Sequence, residues 1–101
     1  MTYEAEGWTT LADPNRRSIL MVLAEGERTV SQLTKALPVS QPAVSQHLKV
    51  LKHVGLVSDR AEGTKRIYRL NQTGVAALRD QLDTFWKRTM SGLERMLEDD
   101  R

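Results

Sequence analysis

The apolar positions of the chain fall into five stripes at helical spacing and one stretch of strict alternation. Trp8, Leu11 and Ala12 mark one face of a short first helix. Asp13-Pro14 starts a second, with the aspartate as cap and the proline in the first turn, where a backbone N–H would be unpaired anyway. Ile19, Leu20, Val22 and Leu23 give this helix a buried side, and Gly26 ends it. Thr29 caps a third helix, and Gln32 three residues later completes a reciprocal capping pattern. Val30, Leu33 and Leu37 are its apolar side, and Pro38 cannot continue it. Ser40 caps a fourth helix that runs to about Val54 and stops at Gly55. Two capped helices joined by a few residues predict a helix-turn-helix over 29–54.

The pattern then changes period. Lys65-Arg66-Ile67-Tyr68-Arg69-Leu70 alternates polar and apolar, as a half-buried strand does, and Gly63 suits the turn between it and Leu56–Arg60. A β-hairpin over 56–70 therefore follows the helix-turn-helix, in the place of a DNA-binding wing. From 72 to 97 the spacing is helical again: Val75, Leu78, Leu82, Phe85, Trp86, Met90, Leu93 and Leu97 form one stripe. A helix of roughly 40 Å outreaches what a domain of this size can cover. Trp8 and Leu11 are further apolar groups with no evident partner. Pairing two copies through the first and last helices buries Trp8, Leu11, Leu78, Leu82, Phe85, Trp86, Met90 and Leu93. The expected fold is mainly α with a small β-hairpin: one winged helix-turn-helix domain over 1–101, with N-terminal helices in 8–25 and a dimerisation helix over 72–97.

Laid out at 100° per residue, the fourth helix has an aliphatic face of Val44, Leu48 and Leu51. The opposite side carries Pro42, Gln46, Lys49 and His53, with Gln41, Ser45 and Lys52 along its edge. No carboxylate occurs between Gln41 and His53. A merely solvated helix normally mixes in Glu or Asp; a helix that faces phosphates does not tolerate them. Gln pairs with adenine, Lys reaches guanine acceptors, and Ser serves base or phosphate. Ser40, Gln41, Pro42, Ser45, Gln46 and Lys49 are therefore the candidate DNA contacts, with Ser40 also a cap. Pro42 is equally well read as a plain helix-start residue. His47, on the flank of the buried face, is expected to be packed and hydrogen-bonded. His53 suits either the helix dipole or a phosphate.

Charge sharpens this picture. The net charge of +2 is uninformative, but residues 41–70 hold six basic and two acidic side chains, a balance of +4, against −1 on either side. A central basic block is what a surface meeting a polyanion needs. Arg60, Lys65 and Arg66 flank the turn and are candidate phosphate or minor-groove contacts; the alternative is a charged edge that blocks strand pairing. The chain has no cysteine, which excludes disulfides and thiolate metal sites. Met1–Gly7 is acidic and polar, unlike a signal peptide, and no apolar run approaches a membrane span. A soluble, cytoplasmic protein is expected.

The segments Leu11-Ala12-Asp13-Pro14-Asn15-Arg16-Arg17-Ser18-Ile19-Leu20 and Ser40-Gln41-Pro42-Ala43-Val44-Ser45-Gln46-His47-Leu48-Lys49-Val50-Leu51 resemble the opening and the recognition helix of ArsR-type regulators. Gly55-Leu56-Val57, Gly63 and Tyr68 fall where that family has its wing, so the resemblance spans about residues 8–90. It implies a winged helix, a homodimer through the first and last helices, and repression from a palindromic operator, often the protein's own promoter. Many members sense metals through cysteines in the helix before the recognition helix; here Thr29–Lys35 has no thiol. Others bind zinc through His and carboxylates on the last helix; here Asp80, Asp83 and Glu94 have no histidine beside them. The chain resembles the non-metal-sensing branch, with no cofactor expected and the inducer open.

Catalysis finds no support. There is no nucleophile–base pair, ligand spacing or phosphate-cradling loop, and Ser45 and His47, two apart on a helix, do not face each other. A winged helix used only for protein contacts would not need an acid-free face. RNA readers usually carry aromatic platforms, and only Tyr68 lies in the basic block.

Overall fold

A computed structural model describes residues 3–100, with side chains from Gly7 onward. The head of the polar segment Met1–Gly7, read above as no leader, lies outside that description. The elements run α1 (Tyr3–Leu11), α2 (Pro14–Glu25), β1 (Arg28–Thr29), α3 (Val30–Ala36), α4 (Gln41–His53), β2 (Val57–Glu62), β3 (Lys65–Leu70) and α5 (Gln72–Asp99). The helix starts are set by side chains. Asp13 accepts from the backbone N–H groups of Asn15 and Arg16. Thr29 and Gln32 form the reciprocal capping box. Ser40 accepts from Ala43 and Asn71 from Gly74. These pairings satisfy donors that a helix N-terminus leaves open.

Three details differ from the sequence reading. The first helix begins five residues before Trp8, at Tyr3, and Ala12 lies exposed beyond its end rather than on its apolar face. The wing is a three-stranded antiparallel sheet, ordered β1-β3-β2, because Arg28 and Thr29, the latter also the cap of α3, pair with Tyr68 and Ile67. Two residues are too few to show a period, so β1 leaves no trace in the pattern. The outer strand also extends to Glu62, two residues past Arg60, with Gly63 turning the chain at φ 63°.

The core gathers Ile19, Leu23, Leu33, Val44, Leu48, Leu51, Val54, Leu56, Val57 and Leu78. It thus joins α2, α3, α4, the root of the wing and only the first turns of α5. Where α5 begins it lies directly on the backbone at Gly55: a methyl group on Gly74 would run into the Gly55 carbonyl oxygen. Glycine at 74 is therefore what lets the two segments touch.

Beyond that anchor α5 still packs on the domain through Leu78 and Leu82, so Leu78, expected above at the dimer interface, is buried within one chain; from Trp86 onward the helix projects past the domain. Its 28 residues make about 42 Å of helix. The radius of gyration is 17.1 Å, against about 13 Å for a compact chain of this length. Trp8 of α1 meets Phe85 edge to face at 5.1 Å, and Phe85 meets Trp86 at 5.3 Å. Trp86, Met90, Leu93, Met96 and Leu97 remain exposed. Among the described residues, no helix is long and apolar enough to cross a membrane.

Candidate nucleic-acid interface

The fourth helix divides cleanly. Val44, Leu48 and Leu51 are fully buried, while Gln41, Pro42, Ser45, Gln46, Lys49, Lys52 and His53 are exposed. Burial of three aliphatic side chains, each about 1.5–3 kcal/mol, is what orients the helix and turns its polar side outward. Ser40 caps the helix and is itself exposed. A second tie comes from α2: the Arg16 Nε donates to His47 Nδ1 at 3.2 Å. His47 is half-buried and uses that nitrogen inside the protein, which fixes the roll of α4 against α2. This Arg16 partner is not visible in the sequence, where it lies 31 residues away.

The wing residues are not equivalent. Alternation along β2 and β3 places Arg60 and Arg66 on opposite faces of the hairpin. Arg60 is engaged in a two-pronged ion pair with Glu27, both contacts at 2.8 Å, and also reaches Glu62. Its guanidinium holds the Glu27 carboxyl below the usual range. Glu27 and Glu62 thus occupy both terminal nitrogens of Arg60 and set negative charge beside it, which disfavours a phosphate there. Lys65 and Arg66 are exposed and share with Gln41 the lining of a groove of about 550 Å³. Lys35 and Tyr68 also line it, and no carboxylate does. The structure thus brings the start of α4 and the wing tip to one cleft, and adds Lys35, which the sequence reading passed over.

One acid lies inside the basic block. The Asp59 side chain is only 5% exposed, with Lys52 Nζ 2.9 Å from one oxygen and Arg66 Nε 2.7 Å from the other. Hydrogen bonds from Lys52 and Arg66 hold its carboxyl below the ordinary value. Strand alternation predicts the face Asp59 occupies; it does not reveal that a residue of α4 reaches the same carboxylate. Among the described residues no group of three or more His, Cys, Asp or Glu side chains is placed to hold a metal ion.

An acid-free helix face, a cationic hairpin and a protruding last helix now stand beside three comparisons. The model of the bacterial regulatory protein arsR family matches residues 13–59, from the cap of α2 into β2. The HTH-type transcriptional regulator Rv2034 of Mycobacterium tuberculosis is 53% identical over 91 residues, covering 90% of this chain and 85% of the relative. The arsenical resistance operon repressor of Escherichia coli is 40% identical over 78 residues, 76% of this chain and 67% of the relative. Among solved structures, the homodimeric winged helix-turn-helix domain Mb0332 of Mycobacterium bovis superposes with a TM-score of 0.70. It is 33% identical and covers 87% of this chain and 82% of that one. The chain belongs to the ArsR family of bacterial regulatory proteins and is a DNA-binding transcriptional regulator on a winged helix-turn-helix.

Proposed function

We propose that the chain is a repressor that binds a palindromic operator as a homodimer, paired through α1 and α5. The observation that carries the reading is the exposed face of α4, polar and cationic without a carboxylate from Gln41 to His53. On this reading Gln41, Ser45, Gln46 and Lys49 face base edges and Pro42 packs against them. Ser40 and the first backbone N–H groups of α4 take a phosphate. Lys65 and Arg66 take phosphates from the wing side, and Arg60, flanked by Glu27 and Glu62, contributes less.

Dimerisation is supported by the exposed stripe from Trp86 to Leu97 and by an apolar groove of about 470 Å³ lined by Leu11, Leu20, Val75, Leu78, Leu82 and Trp86 among others. A two-fold axis through α1 and α5 sets the two copies of α4 about one helical turn of DNA apart. The homodimeric relative Mb0332 and the named repressors among the relatives favour the same assembly and sign of regulation. We place the chain in the non-metal-sensing branch, since it lacks cysteine and carries both histidines on α4.

The test is selection of bound duplexes from a random-sequence library, run alongside light scattering. The expected result is an inverted repeat with half-sites about 10 base pairs apart and a mass of twice 11.5 kDa. Enrichment of a single half-site by a monomer overturns the dimer; no enrichment at low salt overturns sequence-specific recognition.

A further inference from the structure

The Asp59 carboxylate is out of place by charge alone. It sits in the block that carries the positive balance, where an acid repels phosphate. Yet it is nearly covered, and both of its oxygens are used. One meets Lys52, in the last turn of α4; the other meets Arg66, in the inner strand of the wing. Asp59 itself lies on the outer strand, opposite Tyr68. Three elements thus converge on one side chain. The covalent path from α4 to β2 is short, but it passes through Val54, Gly55 and Leu56, and Gly55 stands at φ 83°. The angle between helix and hairpin is therefore not set by the chain alone.

The bridge does not use up its cations. An ammonium has three donors and a guanidinium five, and Arg66 spends its inner Nε on Asp59. Lys52 and Arg66 remain about half exposed, at 54% and 55%. Donors on both stay open to phosphate while their stems are held. Exposed single ion pairs contribute little, but a carboxylate covered by two charge-assisted contacts is a better-defined joint.

We propose that Asp59 is a positioning residue for DNA recognition: by holding Lys52 and Arg66 on one carboxylate it sets the wing against α4, and so raises sequence discrimination at the expense of general affinity. The proposal rests on the DNA-binding reading above. It separates two quantities that a basic patch would move together. Arginine and lysine side chains left untethered would bind any duplex well; tethered, they meet phosphates only where the bases also fit α4.

The test compares wild type, Asp59→Asn and Asp59→Glu on the selected operator and on a scrambled duplex, across a salt series. Asparagine keeps the shape and removes the charge. For Asp59→Asn we expect tighter binding to the scrambled duplex, a salt dependence steeper by about one unit, and an operator-to-scrambled ratio lower by about tenfold. Asp59→Glu restores the charge with a longer arm, and should restore the salt slope and part of the ratio. A residue needed only for folding would lower the melting temperature and leave the ratio of the folded protein unchanged, which overturns the proposal.

Wild type that binds neither duplex removes the DNA-binding reading, and this inference with it. If Asp59→Asn does not fold, spin labels at introduced cysteines decide, since the native chain has none. A label pair at 53 and 64, diluted with unlabelled protein, should show a broader distance distribution in Lys52→Gln than in the parent. An unchanged distribution overturns the proposal.

Discussion

Helices α4 and α5 are both amphipathic, and each leaves exposed the kind of face the other conceals. In α4 the apolar face is consumed by the core: Val44, Leu48 and Leu51 have no exposed surface. What remains outward is a polar face from which carboxylates are missing. In α5 the polar face is ordinary, mixing Arg79, Asp80, Asp83, Lys87 and Arg88, and it carries no message about a partner. Its apolar face does, since Trp86 is 58% and Leu97 57% exposed. The lesson is to ask of each helix which face lacks an explanation within one chain. For α4 it is the composition of the exposed side; for α5 it is the exposure of the apolar side.

The largest effect should come from giving α5 a polar stripe. Trp86→Lys with Met90→Glu leaves the core untouched, since both side chains are exposed. It should yield folded monomers by sedimentation and reduce operator affinity by about 10²- to 10⁴-fold through loss of the second half-site. Folded dimers with full affinity would break the contrast by moving the interface elsewhere.

Next come the readers. Gln46→Ala or Lys49→Ala should cost about 1–3 kcal/mol per half-site on the operator while scrambled DNA is bound almost as before. An equal loss on both would make α4 a phosphate binder only. A smaller effect is expected at the wing tip, where Lys65→Gln should weaken binding to all duplexes and flatten the salt slope by about one unit per subunit. An unchanged slope would take Lys65 out of the interface.

The smallest expected effects concern acid and metal. Asp59 and Glu27 are held below their ordinary values, 3.8 and 4.5, by their cationic partners. A carboxyl depressed in the fold adds stability that is fully present above its ordinary value and is lost as pH falls through the lower, folded value. Thermal melts should thus be flat in these groups from pH 7 to 5 and decline below about 4.5. Asp59→Asn should shallow that decline. Micromolar zinc, cadmium or arsenite should leave operator affinity unchanged in a mobility-shift titration, and a stoichiometric loss would place a metal site where none was expected.

The caps and boundaries of α2, α3 and α4 and the hairpin were legible because each rests on neighbours in sequence: Asp13 with Pro14, Thr29 with Gln32, Ser40 before Gln41, Gly63 in its turn; the Asn71 cap of α5 and the start of α1 were not read. The two faces of α4 were legible because a helix repeats. What stayed hidden depends on distant pairs. Glu27 holds Arg60 across 33 residues, Arg16 holds His47 across 31, and Lys52 meets the carboxylate that also holds Arg66. None of these has a periodic signature. Each changes how a candidate is understood: Arg60 is already partnered, and Arg66 is held at one nitrogen and free at the others. The two-residue strand β1 was invisible for the related reason that pairing, not propensity, makes it a strand.

The contact of Gly74 with Gly55 turns α5 into a lever whose fulcrum lies beside the reading helix. The arm beyond Gly74, about 38 Å, magnifies any error of angle, so a tilt of about 5° moves the far end by about 3.3 Å, close to the rise of one base pair. If the far ends of two such arms are joined, the ruler that measures the distance between half-sites is calibrated at the point where two backbones touch without a side chain between them. Gly74→Ala would push these two backbones apart and tilt α5, making the pair misjudge the spacing. A selection repeated with that variant should return an altered spacer between half-sites.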